Sequence, residues 1–429
     1  MNLHGLLRRR LDAGRPVRVG LIGAGKFGSM FLAQVPSTPG IQVAAIADLS
    51  PDRARQSCRN VGWPDELTEA TRFTDDAQAM LAAADLELVV EATGHAPAGI
   101  SHARRAIAEG KHVVMVNVEA DVLAGAALAR EASRAGVVYS LAYGDQPALI
   151  CELVDWARAC GFRVLAAGKG TKYLPEYHAS TPATVWGYYG LTEQQAQLGG
   201  MNPQMFNSFL DGTKSGIEMA AVANATGLAV PSDGIGFPPL GTHELADGLG
   251  HLDGQVEVVS SLHRDGRDVA NDLRWGVYVV FAAPTDYATR CFKEYGVSTD
   301  RSGRVAALYR PFHLIGLELN VSILSAALRG EATGAPTGFH GDVVATAKRD
   351  LRAGEVLDGE GGACVWGKLM QARASLALGG LPIGLANRVP LVRDVPTGHC
   401  VTWADVQMDE ADEAYRYRRR MEGEFIGQL

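Results

Sequence analysis

The sequence predicts an α/β protein that opens with a doubly wound parallel sheet, followed by an α+β domain and a small C-terminal β-rich domain. Three observations carry this. An apolar, β-branched run from Val17 to Ile22 feeds directly into Gly23-Ala24-Gly25-Lys26-Phe27-Gly28, where a helical pattern opens. A second strand pattern, residues 41–47, ends on Asp48. Strand and helix patterns then alternate as far as about Asp145, which implies right-handed crossovers and parallel pairing.

Each glycine of the first turn answers a separate physical need. Gly23 makes the tight turn, Gly25 lets backbone approach a pyrophosphate, and Gly28 lets the helix pack close against the strand. The free N–H groups and dipole at the helix start favour phosphate, so strand, turn and helix in this order form a dinucleotide-binding (Rossmann) fingerprint. Asp48 lies about 20 residues beyond the last glycine, where an acid accepts hydrogen bonds from ribose hydroxyls. A carboxylate there repels a 2′-phosphate. NAD is therefore expected over NADP, while Ser50 and Arg53 lie near enough to keep NADP open. The expected cofactor residues are Gly23, Gly25, Lys26, Phe27, Gly28, Asp48, Arg53, Thr93, Gly94 and Asn117.

Taken in order, residues 1–16 read as a short amphipathic helix with Arg8-Arg9-Arg10 on a solvated face. Helices are predicted over 51–61, 97–109 and 124–135, and strands over 86–91, 112–116 and 137–142. Farther on, 164–167, 255–262 and 276–282 read as strands, and 314–328 as a strand followed by a helix. Residues 335–340, rich in Gly, Pro and Thr, are the best linker, and 409–421 is expected to be an exposed helix. The expected domains are 1–145, 146–335 with its last helix returning to the first domain, and 336–429.

Composition narrows the class. The 429 residues are 47% hydrophobic and 21% charged, ordinary for a globular chain of two or three domains. The net charge of -8, with basic residues scattered, offers no footprint for nucleic acid or an anionic membrane. No run reaches transmembrane length and the N-terminus lacks a signal peptide's apolar core, so a cytoplasmic protein is expected. Six scattered cysteines without a C-x-x-C pair suit reduced thiols.

The segment GKHVVMVNVEAD resembles the corresponding strand of homoserine dehydrogenases and of the glucose-fructose oxidoreductase-like group. Asn117 matches the Asn of the former's Asn-Lys pair; Val118 replaces its Lys, and the latter's Glu-Lys-Pro lysine is absent. Gly144-Asp145-Gln146-Pro147 stands where the homoserine dehydrogenase family turns into its substrate domain, and Gly168-Lys169-Gly170-Thr171-Lys172-Tyr173 resembles its Asn-Gly-Thr-Thr-Asn-Tyr motif. NSFLDGTKSGIEMAAVAN resembles its Asp-x-x-x-Lys segment, with Asp211 and Lys214 one residue closer together and Asn202 replacing the glutamate before the proline. Residues 342–355 and 381–386 resemble a SAF domain. Together these stretches, with RPFHL, resemble the deoxyxylulose-phosphate reductoisomerase-like family over nearly the whole chain. Members couple hydride transfer to a carbon-skeleton shift, on a ketopentose phosphate or on a branched sugar acid such as apionate.

Removing a hydroxyl proton as a hydride leaves, and polarising oxygens during an α-ketol shift, are tasks a lysine can perform. Lys214 is the first candidate: it follows Asp211 at the start of an apolar helix, with Glu218 four residues on. Lys169, between two glycines at a strand end, is the second. Asp211, Glu218 and Glu119 complete the catalytic candidates; Asp121 offers a helix cap as its ordinary explanation. Substrate contacts are expected from Lys172, Asn117, Asn224, Arg310 and His313. His243, Glu244 and Asp247 read as a solvated face, so no metal site is assigned and a divalent cation stays open. The expected function is an NAD-dependent oxidoisomerase acting on a small polyhydroxylated sugar acid, in a homo-oligomer. An NADPH-dependent deoxyxylulose-phosphate reductoisomerase-like enzyme, a homoserine dehydrogenase and an NAD-binding regulatory protein are the alternatives.

Overall fold

The computed structural model describes residues 2–427. The chain divides into two compact units: Met1–Leu149 with His313–Thr337, and Ile150–Phe312 with Gly338–Leu429. The third and last crossing, between Thr337 and Gly338, falls inside the predicted 335–340 linker.

In the first unit six parallel strands, β1 (Val17–Ile22), β2 (Ile41–Ala47), β3 (Arg72–Thr74), β4 (Leu88–Glu91), β5 (His112–Met115) and β6 (Tyr139–Leu141), form a sheet of order β3-β2-β1-β4-β5-β6. This is the doubly wound order, and it sets the switch point between β1 and β4, above whose carboxyl ends a dinucleotide sits. Val17, Val19 and Leu21 of β1 enter one core with Leu3 and Leu7 of the first helix (Leu3–Asp12) and with Ile323, Leu324 and Ala326 of the helix Asn320–Arg329. That helix packs on β4, β5 and β6 of the sheet. Residues 315–319 form a turn rather than the predicted strand; Gly316, at φ +76°, is so close to the helix Lys26–Gln34 that a Cβ would meet Met30 Cβ at 2.7 Å. Of the arginine run, Arg8 and Arg9 are solvated, while Arg10 clasps both carboxylate oxygens of Glu87 at 2.8 Å.

The helix predicted over 124–135 starts six residues earlier, at Val118, and runs to Ala135. Asn117 is its cap, accepting from the Ala120 N–H at 3.1 Å. Asp121 is therefore not the cap. It is buried within the first turns, where its Oδ1 accepts from the Tyr139 hydroxyl at 2.9 Å and its Oδ2 has no hydrogen-bond partner. Burial pushes this carboxyl up to about 7, and the Tyr139 bond offsets only part of the rise. A native pKa above the unfolded value means that the folded state binds the extra proton. Its contribution to stability is whole below the unfolded aspartate range and is lost as pH rises toward 7. Asp121→Asn is accordingly expected to raise the melting temperature at pH 8 by on the order of 5 °C and to flatten its dependence between pH 5 and 7. A variant that melts below the wild type at pH 8 in calorimetry would exclude this origin.

The second unit is built on β7 (Arg163–Thr171), β8 (Gln255–Ser260), β9 (Val277–Ala282) and β10 (Val305–Arg310), in the order β10-β9-β7-β8, with β7 and β8 parallel and the other pairs antiparallel. β7 is longer than predicted and includes the Gly168-Lys169-Gly170 stretch. The two glycines are there because neighbours approach: a Cβ would lie 1.7 Å from the Glu257 carbonyl oxygen at Gly168 and 2.1 Å from that of Leu273 at Gly170. Lys169 is thus a strand residue, not a turn residue.

Residues 338–429 do not stand apart as a third module but fold into the same unit. β11 (Gly341–Ala347) pairs antiparallel with β13 (Val365–Gln371), and β12 (Val356–Asp358) with β14 (Asn387–Pro390). The helix Thr213–Thr226 packs on β11 and β13. The C-terminal helix Glu413–Ile426 is not an exposed tail, since Ala414, Tyr417, Arg418, Met421 and Phe425 are buried. Arg418 is fully enclosed and holds Asp342 at 2.6 Å and Glu422 at 2.9 Å.

Candidate active site

In the first unit the glycine turn has the geometry each position requires. Gly23 adopts φ +93°, and a Cβ there would meet the Ala92 carbonyl oxygen at 2.7 Å. Gly25, the cap of the helix Lys26–Gln34, faces open space, and a Cβ on Gly28 would come within 2.4 Å of the Gly23 oxygen. Lys26 is exposed at the helix start, and Phe27 packs partly into the core. A pyrophosphate therefore has backbone N–H groups without an intervening side chain. Asp48 follows β2, its carboxylate accepting from the N–H groups of Ala24 (2.9 Å) and Ser50 (3.0 Å) and from the Arg53 guanidinium (2.8 Å). Burial pushes this carboxyl up, but the three donors outweigh it and hold the group below the usual aspartate range. It is an anion ready to accept from ribose hydroxyls. These residues fit a dinucleotide.

Gly28→Ala tests the cradle, because the added methyl must displace either the helix or the turn. NADH affinity, followed by fluorescence titration, is expected to fall by roughly tenfold or more, about 1.4 kcal/mol. An unchanged affinity would remove Gly28 from the cofactor site.

At the ends of β4 and β5 the structure joins residues that the sequence left separate. Thr93 donates to Glu91 Oε1 at 2.6 Å, and Asn117 Nδ2 donates to Thr93 Oγ1 at 3.3 Å. His102 Nδ1 lies 3.2 Å from the same Glu91 oxygen, and Glu91 Oε2 is buried with no hydrogen-bond partner. Asn117 caps the helix with its oxygen and bonds Thr93 through its nitrogen, so both ends of its amide are engaged within the first unit. Gly94 beside it is exposed, at φ +67°. Glu119 is half-buried in the first helical turn. Glu91 and His102 were missed; the acid that ends the apolar LELVVE run was the available signal.

The second unit brings Lys169 and Glu218 together. The two are buried, and the Lys169 ammonium donates to Glu218 Oε2 in a salt bridge. The partner of Glu218 on the strand was not readable from the i,i+4 spacing to Lys214. Lys214 is the second residue of the helix Thr213–Thr226 and is half-buried. Asp211 is placed differently from its expected catalytic role: Oδ1 accepts from Thr213 N–H at 2.9 Å, and Oδ2 receives the Lys348 ammonium at 2.7 Å. That pair is fully buried, and Lys348 also donates to the carbonyls of Ser180 and Gly362 at 2.7 Å. Asp211 thus anchors the helix start.

Lys172 donates to the Tyr188 carbonyl at 2.6 Å, with its ammonium 5.7 Å from the Tyr189 ring centre. Burial, and then the charge of Arg274, lower its pKa. Asn224 is not available to substrate: its Oδ1 accepts from the N–H groups of His340 (2.7 Å) and Gly341 (2.9 Å), and its Nδ2 donates to Gly341 O at 3.1 Å. Arg310 ends β10 with its guanidinium 5.1 Å from the Phe312 ring centre. His313, half-buried, belongs to the first unit. Among the described residues no group of three metal-ligating side chains occurs; Glu244 accepts from Gly241 N–H and Asp247 from Arg301 N–H. Among these same residues no helix is long and apolar enough to cross a membrane.

Two family models match successive parts of the chain. Residues 23–141 match the NAD binding domain of homoserine dehydrogenase, and residues 144–319 match the catalytic domain of oxidoreductase DRL. The class they define, with the site above, is an NAD(P)-dependent oxidoreductase of the dehydrogenase type. A glycosyl hydrolase family 109 protein of Saccharopolyspora erythraea is 32% identical over 108 residues, 24% of this chain and 22% of that protein. The chain thus spans about a fifth of the length of the curated relative it matches. Among solved structures, levoglucosan dehydrogenase in complex with NADH and levoglucosan aligns at 16% identity over 74% of this chain and 91% of that one, TM-score 0.40. A probable dehydrogenase from Thermotoga maritima aligns at 15% identity over 74% and 90%, TM-score 0.39.

Proposed function

We propose that this protein is an NAD-dependent oxidoisomerase that oxidises a secondary alcohol of a small polyhydroxylated sugar acid, of the apionate type, and rearranges its carbon skeleton. The observation that carries this reading is the buried Lys169–Glu218 pair in the unit that also bears Lys214 and Lys172. Such a pair holds a proton away from water and can pass it to or from a substrate oxygen, while the additional lysines favour an anionic substrate. Bound NAD supplies the hydride acceptor. Gly23, Gly25 and Gly28 would hold its pyrophosphate, Asp48 its ribose, and Thr93 and Gly94 would border it.

Asp48 supports the oxidative direction, since cells keep NAD oxidised. Arg53 favours a second reading, because a guanidinium 65% exposed beside Asp48 is a ready partner for a 2′-phosphate. That reading is an NADPH-dependent reductoisomerase acting on a ketopentose phosphate. We further propose a cytoplasmic homo-oligomer. The test is titration with NADH and NADPH, then NAD reduction over C4 to C6 sugar acids with and without Mg²⁺. Tighter NADH binding with turnover of a branched sugar acid is the expected result. Tighter NADPH binding with reduction of deoxyxylulose phosphate would replace this reading with the second.

A further inference from the structure

An oxidation followed by an α-ketol shift moves two protons: one leaves the alcohol as its hydride departs, and one leaves the hydroxyl of the carbon from which a carbon substituent migrates. The Lys169–Glu218 pair accounts for one. The second unit holds another chain of proton-carrying groups. The Tyr173 hydroxyl lies 2.9 Å from His178 Nε2, and His178 Nδ1 lies 2.7 Å from the Asp211 carbonyl oxygen. A carbonyl only accepts, so Nδ1 carries the hydrogen; in the neutral ring Nε2 is then the acceptor and Tyr173 donates to it.

The surroundings hold this arrangement rigidly. The imidazole stacks on Trp366 with ring centres 3.8 Å apart, and the phenol stacks on Phe237 at 3.8 Å. Phe237 sits at φ +49°, an uncommon conformation for a bulky residue. It is retained by Glu257, which accepts from the N–H groups of Gly236 and Phe237, and by Arg264, which donates to both of their carbonyls. Backbone strain maintained from both sides is found where a side chain must be aimed. Asp211, the acceptor of the His178 N–H, precedes the helix that carries Lys214 and Glu218, so the Tyr–His pair and the lysines share one support. Burial, joined by the charges of Lys348 and Lys368 and opposed by the nearby Asp211 contacts, lowers the affinity of His178 for a proton, which favours the neutral ring.

We propose that Tyr173 and His178 form a proton relay serving the oxidation step, with the Tyr173 oxygen touching the substrate hydroxyl and His178 acting through it. This rests on the oxidoisomerase reading. In the step, the substrate carbon gives its hydride to the cofactor and its hydroxyl proton passes to the Tyr173 oxygen. The proton of Tyr173 moves to His178 Nε2, leaving a ketone, reduced cofactor and an imidazolium. During the shift, Glu218 takes the proton of the neighbouring hydroxyl, a carbon–carbon bond moves to the carbonyl carbon, and the new alkoxide recovers the proton stored on His178 through Tyr173.

The pair is tested with Tyr173→Phe, which keeps the stack on Phe237, and His178→Gln. Tyr173→Phe is expected to lower kcat by roughly 10²-fold or more. His178→Gln is expected to remove the acidic limb of the kcat–pH profile, with NADH affinity unchanged in both. A Tyr173→Phe enzyme with wild-type kcat and pH profile would overturn the relay. Nitrogen NMR of ¹⁵N-histidine-labelled protein needs no substrate. A neutral His178 protonated at Nδ1, whose Nε2 resonance moves in Tyr173→Phe, supports the relay, and protonation at Nε2 refutes it. A wild type that turns over no sugar acid refutes the oxidoisomerase reading instead, while the nitrogen spectrum still decides the pair.

Discussion

Lys169→Met is expected to lower kcat by roughly 10²- to 10⁴-fold, the range for losing a positioned proton-transfer group, while NADH binds as in the wild type. The amine is buried on β7 against Glu218, whereas the glycine cradle and Asp48 belong to the other unit of the chain. Methionine leaves the Glu218 carboxylate buried without its cation, so circular dichroism and thermal melting accompany the kinetics. Glu218→Gln supplies the control, because a carboxamide oxygen still accepts from the Lys169 ammonium. A Glu218→Gln enzyme that folds and loses kcat implicates proton transfer. One with wild-type kcat assigns the pair a purely structural role. Lys214→Met, made in parallel, ranks the two lysines: the deeper loss of kcat identifies the amine closest to the reacting oxygen.

Asp211→Asn is expected to destabilise the protein by about 3–5 kcal/mol, the cost of leaving one member of a buried ion pair without its counter-charge. The Lys348 ammonium remains with two carbonyls but no anion, and the Thr213 N–H loses a charged acceptor. Replacing both partners, as Asp211→Leu with Lys348→Met, is expected to recover much of that loss because no isolated charge remains. Denaturant unfolding of the three proteins measures this. If Asp211→Asn is as stable as the wild type but inactive, Asp211 belongs with the proton-transfer groups after all.

The cofactor side was legible from the sequence because its requirements are local. Gly23, Gly25, Gly28 and Asp48 are constrained by a turn, a close approach, a helix contact and a strand end, all within one βαβ segment, and the strand bounds 17–22 and 41–47 match the structure. Misread elements share a cause. The start of the helix at Val118 depended on Asn117 serving as cap, while the buried face of the C-terminal helix depended on Asp342 and Glu422 receiving Arg418. Neither can be seen from hydropathy alone. Lys348 lies in the 342–355 stretch, which no pattern links to Asp211, and His178 lies outside the Gly168–Tyr173 motif.

The sequence by itself determined the doubly wound sheet, the dinucleotide cradle and the set of lysines and acids available for chemistry, because backbone conformation and hydrophobic period act over a few residues. Tertiary structure alone decided which acid each lysine meets. Glu218, four residues from Lys214, bonds Lys169, which is 49 residues away, and Asp211, three residues from Lys214, bonds Lys348, which is 137 residues away. A charge in a low-dielectric interior takes the counter-charge that packing brings to it, and chain separation has no bearing on that distance.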